Sequence, residues 1–252
     1  MPNTRAPQRR GPRLFVEGLS ASEGETCSLG RDDSHYLRDV LRLAPGDPLE
    51  LGDKSSATVF EAVVESVGDH VAVKLLAVAD DQAASRHELC LLFALCKGSK
   101  NDLVCDWATE LGCTTIIFWQ AERSVVRLRG AEEAQAKCAR LAKIAQAAAQ
   151  QSRQPRPPAV HVSASLEEAL QIATAIGPAL RITCSLAAGA TPLPQLLDAD
   201  LSATVVVVGP EGDLSGQEES MLSSAGFLQA SLGPNTLRSE LAAVSALCLV
   251  RR

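Results

Sequence analysis

The chain has 252 residues, of which 46% are hydrophobic and 21% charged, with a formal net charge of −6. That is the make-up of an ordinary folded chain, one large domain or two smaller ones, and it argues against a generally cationic nucleic-acid binder. No stretch approaches a membrane span, and the opening MPNTRAPQRRGPR has no apolar signal-like core, so a cytoplasmic protein is expected.

The first 80 or so residues contain short β-like pieces, RLFVEG, PLELGD, ATVFEAVVESVG and HVAVKLLAVA, separated by turn signals such as Pro45-Gly46-Asp47 and Gly68-Asp69. A small β-rich barrel or sandwich is predicted from them. One helical stretch, DDSHYLRDVLRL, interrupts the series. Asp32 to Ser34 supply its N-cap chemistry, and Tyr36, Leu37, Val40 and Leu41 make an apolar face. His35, Arg38 and Arg42 then fall on neighbouring sides of it. ADDQAASRHE reads as a linker.

After Glu88 the pattern becomes alternating strands and helices. LCLLFALCKG and TTIIFWQAERS are buried strands around the helix NDLVCDWATELGC, which Gly112 closes. A long Ala-rich helix, AEEAQAKCARLAKIAQAAAQQS, stops at RQPRPP; the helix LEEALQIATAIG and the strands ALRITCSLA and ATVVVVGPEG follow. SGQEESMLSSAG is a helix with Ser215 as N-cap and Glu218 at capping-box spacing, and FLQASLGPN and SELAAVSALCLVRR supply a last strand and helix. Strands alternating with helices mean a mainly parallel α/β sheet with helices on both faces. The four valines of VVVVGPEG suit a strand buried on both sides.

The eight cysteines lie mostly inside apolar runs with no C-x-x-C pair, which predicts free thiols in a reducing compartment. His70, His87 and His161 have no Cys or carboxylate cluster at ligand spacing, so no metal is expected. Charge is unevenly spread: residues 1–85 carry 9 Lys/Arg against 14 Asp/Glu, 86–160 carry 11 against 7, and 161–252 carry 4 against 9. The middle segment is where a phosphate-facing surface is expected, with solvated helix faces as the alternative. Four arginines in the first 13 residues would add a basic arm.

Ligands of open parallel sheets bind beyond the carboxyl ends of the strands. Three such ends carry unusual loops here: Leu186-Ala187-Ala188-Gly189, Gly209-Pro210-Glu211-Gly212 and Leu232-Gly233-Pro234-Asn235-Thr236-Leu237-Arg238. Glycines there let backbone groups approach a flat, hydrogen-bonding ligand such as an adenosine. No G-x-G-x-x-G follows the first strand and no G-x-x-x-x-G-K-[ST] occurs, so neither a dinucleotide fold nor a P-loop is supported.

VVVVGPEGDLSGQE, followed by AGF..ASLGPNTLRSELAAVSAL, resembles the C-terminal signature of the RsmE family of SPOUT methyltransferases. KGSKNDLVCDWATELGCTTIIFWQAERSVV, RLAKIAQAAAQQSRQPRPPAV and HYLRDVLRLAPGDPLELGD extend the likeness over nearly the whole chain. The resemblance implies a PUA-like RNA-binding β-barrel over residues 1–80 and a SPOUT domain with a C-terminal trefoil knot over 86–252. It also implies S-adenosyl-L-methionine as cofactor, methylation of N3 of a uridine in 16S ribosomal RNA or the small subunit, and a homodimer with its active site near the subunit boundary. The cofactor-binding residues it implies are Leu186, Gly209, Pro210, Glu211, Gly212, Leu232, Gly233, Asn235 and Leu237. A helix N-cap role for Glu211 is the alternative.

Arg238, with Glu240 beside it, is the candidate catalytic pair, because a cation near the ring stabilises a uridine anion; a salt bridge between the two that fixes the loop is the other reading. Arg31, His35, Arg38 and Arg42 of the first domain and Lys97, Lys100, Arg123 and Arg153 of the strand-end loops are the candidate RNA contacts. The chain departs from the family pattern at Trp107, Gln150 to Gln154, Asp213, Asn235 and Leu241. These departures keep a second reading open, a SPOUT-fold RNA-binding protein with lost or altered chemistry.

Overall fold

The computed structural model describes residues 11–19, 22–79, 87–177, 179–197 and 202–251. Most of the basic arm and of the linker lies outside the described residues. The chain divides into two compact units, Met1–Ser85 with Ala149–Arg156, and Arg86–Ala148 with Pro157–Arg252.

The first unit is built on a five-stranded sheet of β1 (Arg13–Val16), β2 (Thr26–Ser28), β3 (Pro48–Asp53), β4 (Val59–Val67) and β5 (Val71–Val78), in the order β1-β3-β4-β5-β2. The β1–β3 pair is parallel and the other pairs are antiparallel. In β5, Val71, Val73 and Leu75 are buried while Lys74 and Leu76 face out, the alternation of a sheet with one wet face. The expected helix is shorter than its sequence suggests. α1 covers Arg31–His35 and a π turn continues over Tyr36–Val40, after which Arg42 turns to a φ of 57°. Of the predicted apolar face only Leu37 is fully buried, while Tyr36 and Val40 are 37% and 58% exposed. The N-cap is Gly30, with no side-chain cap. Ser34 instead donates to the Leu29 carbonyl at 3.2 Å and accepts from the Val71 amide at 2.9 Å, so tertiary contact captures the residue that local capping would have used.

The second unit holds β6 (Glu88–Ala94), α2 (Lys100–Glu110), β7 (Thr115–Trp119), α3 (Ala131–Ser152), β8 (Ala159–Ser163), α4 (Leu166–Thr174), β9 (Leu180–Cys184), β10 (Thr191–Pro192), β11 (Ala203–Val208), α5 (Gly216–Ser224), β12 (Leu228–Ser231) and α6 (Ser239–Val250). The C-terminal end of α3 belongs to the first unit. All seven strands pair in parallel, in the order β10-β12-β9-β11-β6-β7-β8. Alternate residues of the central strands bury on opposite faces. Leu91, Phe93 and Val206 pack with α2, α3 and α6, and Leu92, Val205 and Val207 with α4 and α5. This is the α/β architecture read from the strand–helix alternation. Two strands escaped that reading: β8, half-buried at one edge behind the proline-rich RQPRPP, and β10, two residues at the other edge. Neither is long enough to show a period.

All eight cysteines are free, and burial pushes the Cys90 thiol up to about 12; Cys248, however, is exposed. Among the described residues no helix is long and apolar enough to cross a membrane.

Candidate active site

β9 lies hydrogen-bonded between β11 and β12, so the loops leaving the carboxyl ends of these three strands are neighbours. Between them is a cavity of about 80 Å³, lined by Leu186, Gly209, Pro210, Leu232, Gly233, Asn235 and Leu237, with Ser239 and Ala242 of α6 behind. A second cavity of about 330 Å³ adjoins it and shares Cys184, Ser185, Leu186 and Asp213 with it. Leu186 is 64% exposed, an apolar surface left bare where the strand ends converge. A larger groove of about 960 Å³ lies in the first unit, lined by residues between Val16 and Lys54, none of them in the three strand-end loops; size alone does not mark the site.

The Gly-Pro-Glu-Gly-Asp loop is drawn in tightly. A Cβ on Gly209 would meet Leu214 Cγ at 3.1 Å, and one on Gly212 would meet the Arg123 carbonyl oxygen at 3.1 Å and its Cβ at 3.2 Å. The glycines thus serve the loop's close packing on protein atoms as well as its approach to the cavity. Asp213 has a φ of 62°, the left-handed region that Asp tolerates better than most residues, and its Oδ1 accepts from the Leu214 amide at 2.9 Å. Arg123, expected to face RNA, donates to the Leu214 carbonyl at 3.1 Å and braces this loop. Glu218, 5% exposed, completes the capping box with Ser215 and also accepts from the Glu122 amide at 2.8 Å, joining the end of β7 to the start of α5.

Glu211 and Gly212 do not line the cavity between the loops. Glu211 reaches the Lys100 ammonium at 2.9 Å, and the same ammonium lies 3.1 Å from Glu240 Oε2. The second contact is an ion pair without aligned hydrogen-bond geometry. Burial pushes the Glu211 carboxyl up, but hydrogen bonds from Lys100, its own backbone and Cys96 outweigh it and hold the group below its ordinary value. The hydrogen bond to Glu211, then the contact with Glu240, holds Lys100 above its own. Beneath them the Cys96 thiol is pushed up to about 12, first by burial and then by the Glu211 charge. Asn101, 3% exposed, fixes this turn by accepting from the Cys96 amide at 3.0 Å and donating to its carbonyl at 2.6 Å.

Glu240 is engaged by Lys100, and the Arg238–Glu240 bridge that was the alternative reading is absent among the described residues. Arg238 occupies the N-cap position of α6, exposed, without an ion pair or side-chain hydrogen bond among the described residues. Lys97 is exposed as well.

In the first unit, His35 and Arg38 both contact Asp39, at 2.5 and 2.7 Å, and Arg38 donates to the Gly68 carbonyl at 2.8 Å. Arg31 and Arg42 are exposed. Arg153 has a φ of 58° and its side chain, 38% exposed, pairs with the buried Glu50 at 2.8 Å, so its guanidinium is held within the first unit. No group of His, Cys, Asp and Glu among the described residues could hold a metal ion.

The RNA methyltransferase domain family matches residues 83–251. A ribosomal RNA small subunit methyltransferase E from Synechocystis is 31% identical over 229 residues, 89% of this chain and 72% of the relative. The chain belongs to the ribosomal RNA small subunit methyltransferase E family. The Mycobacterium bovis member is 29% identical over 93% of this chain and 89% of its own. The Neisseria gonorrhoeae methyltransferase E, solved bound to S-adenosyl methionine, superposes with a TM-score of 0.82 at 26% identity, covering 94% of this chain and 95% of that one.

For this methyltransferase the convergence of the loops bearing Gly209 and Gly233 follows the sequence reading, and Arg238 stands next to them at the start of α6. Cys96, Asn101 and Glu218's contact with Glu122 were missed: Cys96 and Glu218 meet Glu211 and Glu122 only in the folded sheet, while Asn101 bonds Cys96 five residues back without forming a recognisable motif. The one available signal was the capping-box spacing of Glu218.

Proposed function

We propose that this methyltransferase carries a methyl group from S-adenosyl-L-methionine to N3 of one uridine in 16S ribosomal RNA. The observation that carries the reading is the cavity at the ends of β9, β11 and β12, walled by seven of the nine residues expected to hold the cofactor. Leucines 186, 232 and 237 supply apolar walls and the loop backbones supply hydrogen-bonding groups, which suits an adenosine. The adjoining cavity of about 330 Å³ brings the site into the range of small-ligand pockets, about 300–1,000 Å³. When bound, the cofactor supplies an electrophilic methyl group on its sulfonium.

N3 of uridine must lose its proton before it can act as a nucleophile. Arg238, unpaired beside the cavity wall, offsets the negative charge that remains on the ring. The methyl is then bonded to N3 in place of that proton, which passes to solvent, and the demethylated cofactor leaves. Lost chemistry is the less favoured alternative: Asp213 adopts the left-handed conformation that a glycine would serve, and Arg238 is not consumed by a salt bridge.

The second unit, corresponding to residues 86–252, is read as a SPOUT domain whose C-terminal part forms a trefoil knot. Support comes from β11 lying between β6 and β9 while β12 continues beyond β9. Residues 1–80 are read as a PUA-like RNA-binding barrel in which Arg31 and Arg42 offer cations to phosphate. The protein acts as a cytoplasmic homodimer. Leu241 and Leu249 of α6 are 50% and 43% exposed, and Trp107, Leu111, Leu241 and Val244 line an apolar hollow of about 380 Å³. Two departures from the family pattern, Trp107 and Leu241, thus enlarge one apolar surface.

Calorimetry with S-adenosyl-L-methionine, followed by mass-spectrometric mapping of methylated uridines in small subunits incubated with the protein, tests the assignment. Cofactor binding and a single new N3-methyluridine are expected; absence of binding removes the cofactor reading. Light scattering at micromolar concentration tests the dimer, and a monomeric mass removes it.

A further inference from the structure

Lys100 was expected to face RNA, yet its ammonium is turned inward onto two carboxylates from different segments. Glu211 belongs to the Gly-Pro-Glu-Gly loop after β11 and Glu240 to the first turn of α6, 29 residues further on, and both lie within 3.1 Å of the same nitrogen. The Lys100, Glu211 and Glu240 side chains are 26%, 34% and 16% exposed, so the cluster is half-shielded from water. We propose that Lys100 is a positioning residue for methyl transfer, holding the cofactor loop and the Arg238-bearing start of α6 in one arrangement across the end of β6.

Three observations carry this. Lys100 stands in the first turn of α2, whose preceding turn is clamped by the buried Asn101 through both backbone groups of Cys96, so its origin is rigid. Its two partners sit where the reaction's parts meet: Glu211 follows Gly209 and Pro210 of the cavity wall, and Glu240 follows Arg238 and Ser239. Finally, the Lys100–Glu240 contact engages the carboxylate nearest to Arg238 along the chain, which keeps that cation available to a ring anion. Without the ammonium, two like charges would face each other in a poorly screened site and drive the loop and helix start apart. A misplacement of about 1 Å at a reacting centre costs on the order of a hundredfold in rate.

The proposal rests on the methyltransferase reading, so wild-type protein is measured first for cofactor binding and for turnover on small subunits; its failure there would count against that reading and not against Lys100. In Lys100→Met, kcat at saturating RNA and cofactor is expected to fall by about tenfold to a hundredfold, with a raised cofactor Kd, an unchanged RNA Kd and a wild-type thermal melt. Lys100→Arg, which keeps a cation able to reach two carboxylates, is expected to recover most of kcat. If Lys100→Met keeps its kcat and instead raises the RNA Kd while flattening its salt dependence, Lys100 is an RNA contact and the proposal fails. It also fails if Lys100→Arg is as slow as Lys100→Met, because the bridge would then not be what matters.

Discussion

The strand β3 of the five-stranded sheet holds two buried, partnered carboxylates. Glu50 of β3, 4% exposed, holds Arg13 and Arg153 each at 2.8 Å, and Asp53, 6% exposed, accepts from the Leu19 amide at 2.7 Å. The described strands of the seven-stranded sheet bury no carboxylate; apart from Glu88 and Arg181 near the amino ends of β6 and β9, its charged groups gather beyond the carboxyl ends, in Lys100, Glu211, Glu240 and Arg238. The difference follows from topology. A parallel sheet covered by helices on both faces leaves its strands no polar side, so charge collects at the ends, where loops converge and ligands bind. In the smaller sheet the same kind of ion pair serves cohesion.

Substitutions in each sheet should therefore fail in different ways. The largest effect is expected from Glu50→Ala, which strands two arginines around a buried site and should destabilise the first unit by about 3–5 kcal/mol. Amide exchange would show it as lost protection in β3 and β4, while β6 and β11 stay protected; uniform loss across both sheets would end the comparison. Next comes Arg238→Ala, expected to lower kcat by about a hundredfold to a thousandfold, as loss of one charge-stabilising donor does, with RNA affinity and melting temperature near wild type. A variant that loses RNA binding but keeps its rate at saturation would move Arg238 to the RNA-facing surface.

Gly212→Val is expected to weaken cofactor binding by about tenfold or more while leaving the sheet folded, since its Cβ would press on the Arg123 backbone rather than on the core. Unchanged affinity by calorimetry would show that the loop's tight packing is irrelevant to the ligand. Gly209→Val is a less clean probe, because its Cβ meets Leu214, itself 6% exposed.

The smallest effect concerns acid. The Asp53 carboxyl is held down to about 2 from an ordinary 3.8, chiefly by the Ser55 hydroxyl and then by the Leu19 and Ser55 amides. A depressed folded-state value stabilises above the unfolded one, so this contribution is complete above pH 3.8 and is lost as pH falls towards 2. Acid titration of Asp53→Asn should lack that part of the slope in the first unit. An identical slope in the variant would assign the acid sensitivity elsewhere, as to Glu211, whose lowered value has the same sign.

Much of this was determined by sequence alone. The valine run of β11, the capping box at Ser215 and the glycine-bearing loops announce a buried parallel sheet with ligand-binding ends, because strand burial, helix capping and turn chemistry are local and leave periodic or short-range marks. The α1 region shows where that legibility stops: its apolar spacing promised a four-residue face, yet a π turn and the demand of Val71 for the Ser34 hydroxyl left Tyr36 and Val40 in solvent. The charged residues were less legible still. Lys100, Arg123 and Arg153 read identically to Lys97 as basic residues on strand-end loops, and only the tertiary structure decided that these three bind Glu211, the Leu214 carbonyl and Glu50. The physical reason is reach. A long cation is satisfied by whichever acceptor the fold carries to its tip, 111 residues away for Lys100 and Glu211, and no local pattern in the chain encodes that distance.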